Sequence, residues 1–561
     1  LDALKVLAHH MNRFPIKRCG CHGSRWIAAA LWIAAALSFT QTIAAQNPAH
    51  NKRPAAARTH TKARRDVARF RARVEAVLKG ADAEKAYWGI LVRDRNTGEV
   101  LYDLNADHFF TPASNAKIFT TALALATLGP EHRFRTTLES KGALGSDGRL
   151  SGDLILVGRG DPDLSNRKFP YEGKEERDGP VEKVLAELAD AAVAKGLREV
   201  DGDIVADDSY FPYDPYPAGW SVGDLFFTFG APISAIALND NIVEIEVDPA
   251  ERSGEPAIVR TEPGPAIDTF ASEITTGLAD GKADFAVVRQ PGLKFFLLRG
   301  TIPAGHEPIK LEFALTEPAE TSAVVLKQLL EERGVSVTGG THVHHAPPPE
   351  TTAAGDPIFP QTPPPAPNPL VLAEHLSPPL IESVRLTNKI SQNLHAELFL
   401  RAVGKEKTGL GSTAAGLQVE RDFLKSVGIA DGDVALRDGS GLSRADLVTP
   451  RAVVTLLRYV SRQPWGPEFI STLPVAGMDG TLEDRMKRSA ASGLIEAKTG
   501  AIEHVRALAG FATTLRGEPL VFAIYCNHDA QGSPGANPEV DAIGAAMVQT
   551  LGTGTRPKKR R

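Results

Sequence analysis

Apolar residues along the chain change their spacing twice, and the changes mark out its organisation. Residues 88–93 and 100–104 read as strands around Asn96-Thr97-Gly98, a turn suited to a hairpin. An apolar helix is predicted to open at Ser114, just past Pro112, and to stop at Gly129-Pro130, a cap followed by a breaker. From about 134 to 345 the pattern becomes short β-like runs, such as 154–157 and 242–247, broken by Gly, Pro and Asp clusters. Helical spacing appears there only over 181–196 and 318–334. Residues 347–369 hold ten prolines in 23 positions, which favours an extended linker. Helical spacing then returns over 380–402, 414–428 and 450–462. Residues 506–514 and 520–527 form a second hairpin pattern around Arg516-Gly517-Glu518-Pro519, and a final helix is expected over 538–551. Strands at both ends with helices between them predict one α/β domain, split by a β-rich insertion.

Composition leaves this picture intact. The chain has 561 residues, 42% hydrophobic and 23% charged, which suits a soluble protein of several domains. Its formal charge of −5 conceals an asymmetry. Residues 1–65 carry 11 lysines and arginines against one acid, and residues 556–561 add five more bases, so the body from 66 to 555 has 47 bases and 67 acids, or −20. Nucleic acid is therefore not an expected partner of the body. Arg13, Lys17, Arg18 and Arg25 precede an apolar run over 26–39 and small residues ending at Ala44-Ala45, the pattern of an export signal over 1–45; a basic linker (46–65) follows, and a basic tail (553–561) closes the chain. Localisation in the periplasm or cell envelope is expected, with the basic segments available for loose envelope association. Cys19 and Cys21 precede the apolar run. Cys526, in an apolar strand pattern, reads as core.

Three short motifs carry candidate chemistry. Ser114 and Lys117 stand three residues apart, on one face of a helical N-terminus, where a hydroxyl nucleophile, an amine base and backbone N–H groups meet. Ser165 and Lys168 have the same spacing, but Phe169-Pro170 follows and no helix can continue. Ser391 and Asn393 form a Ser-x-Asn that places a hydroxyl beside an amide. Lys498-Thr499-Gly500 lies in a strand pattern, where ammonium and hydroxyl can hold a carboxylate and Gly500 lets another backbone come close. Lys407-Thr408-Gly409 repeats that tripeptide in a connection between helices. His342, His344 and His345 have no acidic or sulfur ligand beside them in the sequence, and no metal site is assigned to them.

In this order the motifs resemble those of penicillin-binding proteins and β-lactamases. The chain is identified as resembling the low-molecular-mass class C penicillin-binding proteins, the D-alanyl-D-alanine carboxypeptidase/endopeptidase family. Further support comes from residues 158–164, 231–235, 377–380, 438–443 and 480–482. The interval of 277 residues between Ser114 and Ser391 fits that family's two nested β-rich domains. The resemblance implies a transpeptidase-like α/β domain (66–133 and 370–552) split by domain II (134–208 and 308–346) and, nested within that, domain III (209–307). It further implies Ser114 as nucleophile, Lys117 as base, Ser391 as proton donor to the leaving amine, and Asn393 orienting Lys117 and the substrate. Lys498 and Thr499 would bind a carboxylate, while the N–H groups of Ser114 and Ala501, beside Gly500, would receive the oxyanion. Asp214 is the implied reader of a cationic stem side chain. The implied substrate is peptidoglycan peptide, with β-lactams as inhibitors and no metal or organic cofactor. Ala501 and Gln392 depart from the hydroxyl and acidic residues frequent at these places. A β-lactamase and a non-catalytic envelope-binding module are the alternatives.

Overall fold

The computed structural model describes residues 64–554, apart from 174–176, 265–268, 290–293, 349–357, 359–367 and 531–534. The expected export signal, nearly all of the basic linker and tail, and most of the proline-rich linker lie outside the described residues. At the centre is a five-stranded antiparallel sheet in the order Ile495–Ile502, Val505–Thr513, Pro519–Asn527, Tyr87–Asp94, Val100–Leu104. Both predicted hairpins are present, joined edge to edge through pairs such as Trp88 with Cys526.

Alternate side chains of this sheet point to opposite faces, and both faces are apolar. Ile524, Cys526, Ile90 and Leu508 pack with Phe70 of the helix Arg65–Leu78 and with Ile543 and Met547 of the helix Asn537–Thr550. On the other face, Leu91, Ala509, Ala523 and Tyr525 pack with the helices Ala116–Leu128 and Pro450–Val460. The helix Ala116–Leu128 is buried on all sides over most of its length, its largely apolar sequence interrupted by the buried Lys117, Thr120 and Thr121. Burial pushes the Cys526 thiol up to about 12, as befits a core strand residue.

The insertion contains a second five-stranded sheet in the order Thr341–Ala346, Ile204–Pro212, Leu154–Val157, Arg135–Ser140, Leu370–Leu376. Helices Lys183–Ala194 and Pro318–Glu332 cover its apolar side chains. Nested in it, two three-stranded sheets share a core of Val243, Ile245, Phe296, Leu298 and Phe313. Three strand pairings cross the expected borders. Leu370–Leu376, expected in the catalytic domain, is an edge strand against Arg135–Ser140, and Ile309–Ala314, expected in domain II, pairs with Ile242–Asp248 of the nested part. Ile204–Pro212 stays in the outer sheet past 208. An alternating pattern identifies a strand without naming its neighbour, so such borders require the pairing itself.

The histidines of Thr341–Ala346 lie beside acids of the parallel neighbour: His342 near Asp203, His344 near Asp207 and His345 near Asp208. Among the described residues no group of three or more His, Cys, Asp or Glu is arranged to hold a metal ion.

Candidate active site

Ser114 sits in a single tight turn, Ala113–Asn115, and the α-helix Ala116–Leu128 starts one residue before Lys117. The helix was expected to open at Ser114. Instead Ala113 takes the left-handed conformation, φ 48°, and Ser114 lies in the tight turn that leads into the helix. Two close backbone approaches hold this turn. A Cβ added at Gly441 would lie 1.9 Å from the Ala113 carbonyl oxygen, and one at Gly500 would lie 2.5 Å from that of Pro112. Asn115 Nδ2 donates to the Lys498 carbonyl at 2.9 Å, and the Tyr525 hydroxyl donates to Asn115 Oδ1 at 3.3 Å, tying the turn to the sheet.

The helix expected over 380–402 is broken at the functional position. Leu380–Ile390 ends at Ser391, left-handed at φ 67°, and Asn393–Thr408 begins afresh with Gln392 Oε1 accepting from the Leu394 N–H at 2.8 Å. Gln392 therefore caps the second helix, and the Ser391 hydroxyl is left for another partner. Lys498 Nζ donates to Ser391 Oγ at 2.8 Å. Lys117 Nζ lies 3.0 Å from Ser114 Oγ, 2.6 Å from Asn393 Oδ1 and 2.7 Å from the Ser440 carbonyl oxygen. Asn393 Nδ2 in turn donates to the Phe229 carbonyl of the insertion at 2.8 Å.

Both lysines are fully buried. Burial lowers Lys117 to about 7, against the opposing charges of Asp438, Glu397 and Asp446. Lys498 is brought well below its ordinary value, first by burial and then by Lys117. A neutral Lys117 has two N–H donors and one lone pair. With Asn393 Oδ1 and the Ser440 carbonyl taking the donors, the lone pair faces the Ser114 hydroxyl.

Ser114, Ser391, Asn393 and Ala501 line a cleft of about 320 Å³, together with Asp224, Phe229, Gly441, Leu442, Arg444, Ile502 and Glu503. Thr499 Oγ1 is 2.8 Å from Thr481 Oγ1 beside it. Asp214 is not among the residues lining the cleft: its carbonyl accepts from Arg401 Nη2, and its carboxylate lies 4.0 Å from the same group. The acid of the insertion that lines the cleft is Asp224, which pairs with Arg444 at 2.9 Å. The two look-alike motifs lie elsewhere. Ser165 is buried against Ala237 and Asp240, and Lys407-Thr408-Gly409 is the capped end of Asn393–Thr408. Sequence reasoning also missed the Ser440 carbonyl, a backbone group that no residue pattern announces.

Over residues 70–547 the chain matches the D-Ala-D-Ala carboxypeptidase 3 (S13) family. The chain belongs to that family. It is a low-molecular-mass class C penicillin-binding protein and a serine-type hydrolase. Among relatives, the D-alanyl-D-alanine carboxypeptidase of Actinomadura sp. (strain R39) is 34% identical over 491 residues, covering 85% of this chain and 84% of its own. The carboxypeptidase DacB of Haemophilus influenzae is 28% identical over 453 residues, covering 79% and 86%. The crystal structure of penicillin binding protein 4 (dacB) from Haemophilus influenzae superposes with a TM-score of 0.70 at 26% identity, covering 84% of this chain and 98% of that one. The split penicillin-binding fold expected from the sequence is thus the S13 fold.

Proposed function

We infer that this S13 protein cleaves the peptide bond after a D-alanine in peptidoglycan stem peptides or their cross-links, through an acyl-enzyme on Ser114. The observation that carries the reading is the pair of lysine contacts: Lys117 on Ser114, Asn393 and Ser440, and Lys498 on Ser391. Neutral Lys117 accepts the Ser114 proton as Oγ attacks the carbonyl carbon. The oxyanion is received by the N–H groups of Ser114 and Ala501, donors of a kind that contribute about 3 kcal/mol each. As the C–N bond breaks, Ser391 gives its hydroxyl proton to the leaving amine and is resupplied by Lys498. Water then attacks the ester carbonyl; Ser114 leaves with the proton held by Lys117, and the proton given up by the water restores Lys498.

Burial and Lys117 disfavour a charge on Lys498 in the empty cleft. A substrate carboxylate held by Lys498 and Thr499 supplies the counter-charge that favours the ammonium. Asp224 and Arg444 give the cleft wall a paired charge that suits a zwitterionic stem side chain. Penicillins, which carry a carboxylate and a reactive amide, acylate the same serine. The expected place of action is the periplasm or cell envelope, after export. Among the described residues no helix is long and apolar enough to cross a membrane.

The test is mass spectrometry after labelled penicillin, together with release of D-alanine or cleaved cross-links from intact sacculi. A stable adduct on Ser114, and loss of both activities in Ser114→Ala, are expected. Unchanged D-alanine release by Ser114→Ala overturns the assignment, and rapid penicillin turnover without an adduct makes the protein a β-lactamase.

A further inference from the structure

Lys117 rests on a carbonyl from the loop 438–443, and that loop is held by side chains from three other segments. Glu397, in the helix Asn393–Thr408, accepts the Gly439 N–H on both oxygens, at 3.0 and 3.1 Å, and the Ser440 N–H at 2.8 Å. Thr120, one helical turn past Lys117, donates to the Gly439 carbonyl at 2.7 Å. Asp438 accepts from the N–H groups of Gly441 and Ser443, at 2.6 and 2.7 Å, and from Trp220 Nε1 of the insertion at 2.8 Å. Glu397 follows Asn393 by one helical turn, so one face of one helix presents both the amide that touches Lys117 and the carboxyl group that fixes Ser440.

We propose that Glu397 is a positioning residue for Lys117, holding the Ser440 carbonyl against the amine while its charge sets how readily that amine keeps a proton. The proposal rests on the reading of Lys117 as the base. Held between two fixed acceptors, the neutral amine has its lone pair aimed at Ser114. A Ser440 carbonyl that drifts leaves one N–H unpaired in a dry site and lets the amine rotate away.

Asp438, Glu397 and Asp446 favour the ammonium, and Lys498 is the neighbouring amine, its own charge disfavoured by burial and by Lys117. Around Glu397 lie Asp438, Arg401 one turn further along the helix, and Glu420. Burial, followed by Asp438, pushes the Glu397 carboxyl up to about 7, the value to which burial brings Lys117 down. An ionised Glu397 favours the ammonium, and a neutral Glu397 favours the free base.

Glu397→Gln keeps an oxygen for the Gly439 and Ser440 N–H groups and removes the charge. Glu397→Asp keeps the charge and withdraws it by one methylene. The experiment measures the rate of penicillin acylation against pH for the full chain and both variants, locating the adduct by mass spectrometry and checking folding by thermal unfolding. For Glu397→Gln the acid limb should move to lower pH by on the order of half to one unit, with the plateau within about tenfold of wild type. For Glu397→Asp the limb should stay in place and the plateau should fall by about 10- to 100-fold. A Glu397→Gln profile that superimposes on wild type, or a Glu397→Asp limb displaced as far as that of Gln, overturns the proposal. If Glu397→Gln does not fold, the Asp variant decides alone: an unchanged plateau refutes the positioning role. An adduct outside Ser114 in the wild type would instead strike at the Lys117 reading itself.

Discussion

Gly500→Ala isolates the part of the site that is pure backbone approach. Residue 500 lies in the strand Ile495–Ile502, paired with Ala507, and is not itself in the left-handed region. Alanine therefore suits its conformation, and any effect must come from contact. The added Cβ would stand 2.5 Å from the Pro112 carbonyl oxygen, 3.0 Å from Ala507 Cβ and 3.3 Å from the Asn115 nitrogen, whereas ordinary contact begins at 3.4 Å. Strand and nucleophile turn must therefore separate by about 0.9 Å, the difference between 3.4 and 2.5 Å. Asn115 Nδ2 bonds to the Lys498 carbonyl across this gap, so separation strains the tie that sets the two motifs in register. A displacement of about 1 Å at reacting groups can cost on the order of 100-fold in rate. Overpacking of this kind costs about 1–3 kcal/mol of stability. The assay is the second-order rate of penicillin acylation beside a urea unfolding curve. A Gly500→Ala variant that acylates within threefold of wild type would refute the claim that this approach positions Ser114.

Two other perturbations follow from the same geometry. Lys117 is lowered by burial from 10.5 to about 7, so between those values the unfolded chain binds the extra proton and this group's contribution to stability rises with pH. Lys117→Met removes that dependence; its gain over wild type in urea melts should be a few kcal/mol at pH 6.5 and should shrink towards pH 10, at about 1.4 kcal/mol per unit. Equal gains at both pH values would count against a buried neutral amine. Trp220→Phe deletes the N–H that reaches Asp438, a bond to a charged group of about 1.5–3 kcal/mol, and should slow acylation about 3- to 30-fold with little change in the unfolding midpoint of the nested sheets. An unchanged rate would mean that the insertion does not brace the loop 438–443.

Much of the site was legible because its chemistry resides in side chains with fixed spacings. Ser114, Lys117, Ser391, Asn393 and Lys498 stand out by motif order only once local context sets aside Ser165/Lys168 and Lys407-Thr408-Gly409, and both hairpins are marked by their turns. What escaped depended on the third dimension. Asp214 follows Tyr213 and Asp224 follows Gly223, and only the ion pair of Asp224 with Arg444 and the stance of Arg401 beside Asp214 show where each acid lies. The break at Ser391 is invisible to helical periodicity, since residues on either side keep the apolar spacing while one left-handed residue redirects the chain. Glu397 in a helical pattern reads as a solvated acid, yet it is fully buried and committed to two backbone N–H groups. The edge strand Leu370–Leu376 carried no mark of its partner, because strand pairing across the 229 residues between Ser140 and Leu370 leaves no local trace.

The joining of the two hairpins, Tyr87–Asp94 against Pro519–Asn527, also governs when the protein becomes competent. A chain made from its N-terminus contains the nucleophile and its amine early, but Lys498 and the strand that pins the nucleophile turn are among the last parts to appear. Pairings of such sequence separation close late and slowly. Ser114 and Lys117 therefore stay without the wall that Lys498 provides until the C-terminal strands pair with Tyr87–Asp94.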